Sequence, residues 1–161
     1  MPANPLATQP PTNVPVSIRL PLDFLAFCQL RHTAYHRHAL LRLGEQSAAE
    51  RAVEDALGTL ATNWRRVLSS RHPARHAWQT LAASIDIQAR RQTNAPPTAA
   101  RTLYTLLPAR QADALLLHLQ HLPPHHAADL TGLDPAVLAY HLGAAQHTLD
   151  ARMPGTRPPR R

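Results

Sequence analysis

Histidines recur along this chain at the four-residue interval that places side chains on one helical face: His32 with His36, His72 with His76, and His121 with His125, next to His126. Imidazole is a common metal ligand and titrates near neutral pH. Structural zinc, however, takes four ligands, usually with Cys or carboxylate partners, and the chain has one cysteine, Cys28. Metal binding is therefore not expected at these histidines, and no other cofactor is expected. There is also no Gly-rich phosphate loop, nucleophile elbow or H-E-x-x-H helix, so no catalytic residue is assigned and the chain does not read as an enzyme. Arginine offers a different chemistry. Arg65-Arg66, Arg90-Arg91 and the C-terminal Arg157, Arg160 and Arg161 can neutralise phosphates, or can stand solvated at helix ends and in a tail.

The charge distribution narrows that chemistry. All seventeen positive residues are arginine and the formal charge is +7. Residues 1–100 hold eleven Arg against six acids, residues 101–150 two against four, and residues 151–161 four against none. Six of the eleven histidines fall in 101–150, a segment that becomes less negative below about pH 6.5. A lone cysteine excludes an internal disulfide and fits a reducing, cytoplasmic setting. Cys28 lies in an apolar helical pattern and reads as packing rather than as a reactive thiol. No run approaches the roughly 18 apolar residues of a membrane span, and MPANPLATQPPTNVP lacks the basic start and apolar run of a signal peptide.

Apolar residues make up 44% of the 161 but aromatics only 4%, and the apolar share is mostly Ala and Leu. That mix predicts an all-α chain, long enough for one domain or two small ones. The breaker Thr93-Asn-Ala-Pro-Pro-Thr98 divides the periodic region. The expected organisation is a Pro-rich disordered leader over 1–21, a helical domain over 22–92, a linker over 93–98, a second helical domain over 99–152 and a basic disordered tail over 153–161.

In the first domain Phe24, Phe27, Ala34, Tyr35 and Leu41 recur at helical spacing up to a stop at Gly44. Ser47 and Glu50 predict a capping box, starting a helix with Val53, Leu57, Leu60, Trp64 and Val67 on one stripe. A third helix follows Pro73, with Ala77, Trp78, Leu81, Ala82 and Ile85 inward. In the second domain Leu103, Leu106 and Leu107 precede a helix at Pro108 lined by Ala112, Leu115, Leu116 and Leu119. Pro123-Pro124 opens a short helix ending at Gly132. Asp134 then caps a longer one, with Pro135 at its first position and Leu138, Leu142, Ala145 and Leu149 inward. Short helix, glycine turn and capped longer helix form the helix-turn-helix pattern, so the fold expected is two small helical bundles joined by a linker, the second containing a helix-turn-helix.

Ala49-Glu50-Arg51-Ala52-Val53-Glu54-Asp55-Ala56-Leu57, followed by Trp64, then Ala77-Trp78 and Arg90-Arg91, resembles the first conserved domain of the extracytoplasmic-function sigma factors. Those proteins are small two-domain initiation subunits of bacterial RNA polymerase. Leu106-Leu107-Pro108-Ala109-Arg110-Gln111 and the segment from Leu122 to Leu149 are similar to their second domain. The resemblance covers about residues 22–152 and implies a region-2-like domain, docking on core RNA polymerase and helping to open the promoter, and a region-4-like domain reading a more distant promoter element. It implies polymerase contacts at Glu50, Val53, Glu54, Asp55, Leu57 and Trp64. It implies DNA contacts at Ala136, Ala139, Tyr140, His141, Gln146 and His147, with Arg90 and Arg91. Taken on packing alone, Trp64 and Trp78 read as bundle core.

The chain departs from the family where DNA would be met. Basic residues usual on and after the reading helix are replaced by Ala139-Tyr140-His141-Leu142-Gly143-Ala144-Ala145-Gln146. Phosphate neutralisation supplies much of the affinity for DNA and bidentate Arg reads guanine. Two readings therefore stand: a sigma-like protein binding polymerase and promoter DNA, or a regulatory protein that keeps the fold, does not bind DNA, and engages an anti-sigma factor or another protein.

Overall fold

The Ala- and Leu-rich periodicity forms eight helices and no strand among residues 19–153, the part of the chain that the computed structural model describes. The all-α expectation holds for these residues. The expected leader and tail fall outside them, apart from residues 19–21 and Met153. The first block contains α1 (Leu22–Leu43), α2 (Gln46–Thr62), α3 (Trp64–Leu68) and α4 (Pro73–Arg91). The second contains α5 (Ala99–Leu106), α6 (Ala109–Leu119), α7 (Pro124–Thr131) and α8 (Pro135–Arg152). None of the described helices is long and apolar enough to cross a membrane.

Helix ends follow local chemistry. Gly44, at φ 72°, stops α1 and donates its N–H to the Leu40 carbonyl at 2.8 Å. Asp134 caps α8 as expected, its Oδ1 accepting from the Ala136 N–H at 2.8 Å with Pro135 at the first position. Thr98 caps α5 in the same way through the Arg101 N–H at 3.0 Å. The expected Ser47–Glu50 capping box does not form. Helix α2 already begins at Gln46, so Ser47 sits inside the first turn and donates to the Glu45 carboxylate, while Glu50 accepts from Gln46 Nε2 at 2.7 Å. Nor is the stripe from Val53 to Val67 carried by one helix. Asn63, at φ −117° and ψ 16°, separates α2 from α3 and donates its side-chain amide to the Thr59 carbonyl at 3.0 Å, the competition with helical bonding for which Asn is known.

Against the expected pair of separate bundles, the largest apolar cluster draws on both blocks: Tyr35, Leu43, Val53, Trp78, Leu81 and Ile85 from the first, Ala114, Leu117, Leu130 and Leu138 from the second. Each block also keeps a smaller cluster, around Phe24, Leu60, Trp64 and Val67 in the first and around Leu107, Leu115 and Ala145 in the second. An apolar stripe fixes which face of a helix is buried but not which neighbour covers it. Here the stripes of α1, α4, α6 and α7 cover one another across the 92–98 connection. Leu41 and Leu119, expected inward, are exposed instead.

Two glycines serve this junction. A Cβ on Gly44 would come within 2.7 Å of Thr98 Cγ2, and one on Gly132 within 2.2 Å of the Arg75 backbone nitrogen. Gly132 thus permits the α7–α8 turn, at φ 65°, to lie directly on the first turn of α4. Gly143 lies inside α8 with nothing within 4 Å of a built Cβ. Gly132→Ala is expected to cost about 2 kcal/mol or more through the left-handed backbone and the clash. Gly143→Ala is expected to gain up to about 1 kcal/mol. Urea unfolding midpoints at constant slope measure both, and equal effects would contradict this assignment.

Candidate functional site

Residues four apart on a helix share a face, and His38 and Arg42 on α1 use theirs to meet three other helices. The His38 ring lies 4.6 Å, centroid to centroid, from that of Trp78 on α4. Trp78 donates its Nε1–H to Asp113 Oδ2 on α6 at 3.0 Å. Tyr104 on α5 donates its hydroxyl to Asp113 Oδ1. His38 Nε2 stands 3.6 Å from the same oxygen and 3.4 Å from the Tyr104 hydroxyl. The seam continues outward: the Arg42 guanidinium covers the Tyr104 ring at 3.9 Å and its Nη2 reaches Asp86 Oδ1 at 2.6 Å. Thr98 Oγ1 donates to the Arg42 carbonyl at 3.2 Å, tying the same point to the start of α5.

The electrostatics of the seam are those of one ionised carboxylate held among neutral donors. Burial pushes the Asp113 carboxyl up, but the hydrogen bonds and proximity of His38, Tyr104 and Trp78 outweigh it and hold the group below the ordinary carboxylate range. Burial, opposed by Asp113, pulls His38 below the ordinary imidazole range. His38 is 1% exposed and its Nδ1 has no partner, which fits a neutral ring carrying its proton on Nε2. Burial first and the Asp113 charge second push the Tyr104 phenol up. These groups engage one another, and the arrangement fastens the two blocks.

The expected polymerase-facing residues divide by face. Glu50, Glu54 and Asp55 are exposed on α2, and Asp55 accepts from Gln88 Nε2 at 3.2 Å. Leu57 is half-buried. Val53 and Trp64 are corrected to core, at 1% and 6% exposure, with the Trp64 ring 5.0 Å from Phe24 and 5.1 Å from Phe27. They shape the helix and leave nothing for a partner to touch.

On α8, Ala136, Ala139, Gln146 and His147 are exposed, and Tyr140 is 72% exposed with its ring 5.6 Å from that of His141. His141 is half-buried, its Nδ1 unpartnered. Arg90 and Arg91 are exposed at the end of α4 opposite the one that meets the α7–α8 turn, so the structure does not join them to the α8 face. Arg90 instead shares a groove of about 470 Å³ with Arg101 beside the 92–98 connection. His32 and His36 stack at 6.2 Å, and His125 and His126 lie 4.1 Å apart. Among the described residues no three His, Cys, Asp or Glu side chains come together as a metal ion would require.

The seam was not anticipated from the sequence. Its one local signal is Asp113 itself, a carboxylate inside the otherwise apolar run Ala112-Asp113-Ala114-Leu115-Leu116-Leu117. No family profile, curated protein or solved structure matches the chain.

His38 gives the seam a pH dependence. Because its folded pKa is lowered, the unfolded chain takes up a proton that the native ring refuses. Its contribution is present above the ordinary histidine value of about 6.5 and is lost as pH falls from there toward the folded pKa. Unfolding free energy should therefore decline between about pH 7.5 and pH 5.5, and His38→Gln should flatten that part of the curve. Urea titrations across that range measure the difference, and parallel curves for the two proteins would refute it.

Proposed function

We propose that this chain is a sigma-factor-like transcription protein that binds core RNA polymerase through the outward face of α2. The observation that carries the reading is the division of that helix. Ala49, Ala52, Val53 and Ala56 are buried, while Glu50, Glu54 and Asp55 stand in solvent. The segment that resembles the family's polymerase-docking helix thus presents an acidic edge on a fully packed base. Exposed charges of this kind steer and orient a partner without being needed for folding. The double substitution Glu50→Arg with Glu54→Arg should keep the helical content and reduce capture of core polymerase by roughly tenfold or more. A pull-down with a sigma factor as positive control reads the outcome. Failure of the unaltered protein to bind polymerase would overturn the proposal.

A second reading is favoured by α8 and by the shared core. The outward face of α8 carries Ala136, Val137, Ala139, Tyr140 and Gly143 ahead of Gln146, His147 and Asp150, and its one arginine is Arg152 in the last turn. Two blocks that share a core are also not free to reach separate promoter elements. This reading makes the chain a regulatory protein that retains the fold and engages an anti-sigma factor or another protein without binding DNA. A salt titration on promoter duplex separates the two. Promoter binding through several phosphates gives a log–log slope of about −0.9 per contact, whereas absence of binding at low salt supports the regulator.

A further inference from the structure

Between α1 and the α6–α7 connection runs a groove of about 480 Å³, within the roughly 300–1,000 Å³ of small-molecule sites. Its floor is apolar: Ala34, Leu122 and Leu130 line it and belong to or pack on the core shared by the two blocks. Its polar groups are mostly donors. Arg31 and Arg37 line one wall, six residues apart on α1, and neither is ion-paired among the described residues. Gln120, at the end of α6, lines the groove at 6% exposure, and its buried Nε2 has no hydrogen-bond partner. A buried amide donor left unpaired costs free energy that an acceptor oxygen would recover. Of the lining residues only Asp129 is acidic.

We infer that this groove is a binding site for a small organic anion with an apolar body, its carboxylate or phosphate held by Arg31, Arg37 and the Gln120 amide and its tail lying on Ala34, Leu122 and Leu130. The charge balance selects the sign: two unpaired guanidiniums and a buried donor face a single carboxylate, and guanidinium pairs bidentately with carboxylate and phosphate. The apolar floor selects the tail. Inorganic anions satisfy only the first requirement and neutral amphiphiles only the second. This inference is independent of the polymerase reading, since it uses no residue of α2 or α8.

Calorimetric titration of the full chain with octyl phosphate, octanoate, octylammonium, octyl glucoside and inorganic phosphate tests it. Saturable binding of the two anionic amphiphiles, with the cation, the neutral glucoside and inorganic phosphate at least tenfold weaker, is expected. The double variant Arg31→Gln with Arg37→Gln should weaken octyl phosphate binding at least tenfold while leaving helical content unchanged, because both side chains are outside the core. Gln120→Met, which keeps the volume and removes the donor, should weaken it in the same direction. The variant pair alone decides the matter if Gln120→Met fails to fold. Equal affinity for the cation and the anions, no saturation, or unaltered binding in the arginine variant would overturn the proposal. So would binding confined to anionic phosphatidylglycerol vesicles in co-sedimentation, which would assign the arginines to a membrane surface rather than to a free ligand.

Discussion

An ionised carboxylate enclosed between helices has to be satisfied from several directions, and Asp113 imposes that demand on this fold. Removing a carboxylate from water costs several kcal/mol unless hydrogen bonds replace its hydration. Its partners come from three other helices: Trp78 on α4 and Tyr104 on α5 donate to it, and the His38 ring on α1 stands 3.6 Å from Oδ1. Their positions relative to α6 are therefore fixed together, and two of the helices belong to the opposite block. An interface made only of Leu and Ala tolerates small shifts in register. One that must bring an indole N–H, a phenol and an imidazole to one carboxylate does not. Arg42 extends the constraint to the surface by stacking on Tyr104 and pairing with Asp86.

The apolar core is consistent with that role for the seam. Where α1, α2 and α4 approach one another, many interior positions are alanine: Ala39, Ala48, Ala49, Ala52 and Ala56. Small side chains let backbones come close, yet each buries little apolar area. The volume is filled by a few large groups, Tyr35, Trp78, Leu81 and Ile85 among them. Trp78 is then both a packing element and a donor to Asp113, so the orientation that fills the core also satisfies the carboxylate.

Much of the helical layout was legible in the sequence because its signals are local. Gly44 needs a left-handed backbone, Asp134 and Pro135 together specify a helix start, and the spacing of Leu81 and Ile85 specifies an inward face. The points that were missed are those where a local signal competes with another. Ser47 and Glu50 satisfy the capping-box pattern, but Glu45 precedes them and α2 starts two residues too early for the box. Asn63 interrupts a stripe that periodicity carries straight through. The end of α6 is a further example: the His121 N–H bonds to His118 O at 2.9 Å and the Leu122 N–H to Leu117 O at 3.3 Å. That is a Schellman ending with histidine at φ 58°, where glycine is usual. The seam was least legible of all. His, Arg and Asp are surface residues by default, and nothing in a single sequence announces that His38 and Asp113, seventy-five positions apart, will share one buried site.

The two features expected to meet DNA are physically apart, and this bears on how the second block is used. Helix α8 has neutral residues on both sides: Leu138, Leu142 and Ala145 inward, Ala136, Val137, Ala139 and Tyr140 outward. Its exposed polar residues Gln146, His147 and Asp150 are confined to the second half of the helix, so the first half exposes a mostly apolar face. The exposed arginines Arg90 and Arg91 lie at the far end of α4 from the turn that introduces α8. A duplex on α8 would gain base contacts from Tyr140 and Gln146 with little phosphate neutralisation, while one on Arg90 and Arg91 would gain charge pairing without base readout. Affinity for DNA depends mainly on the charge term, so sequence-specific reading by α8 requires cations from outside its own face. An apolar partner surface requires none, and that asymmetry is the physical ground on which protein contact competes with DNA contact for this helix.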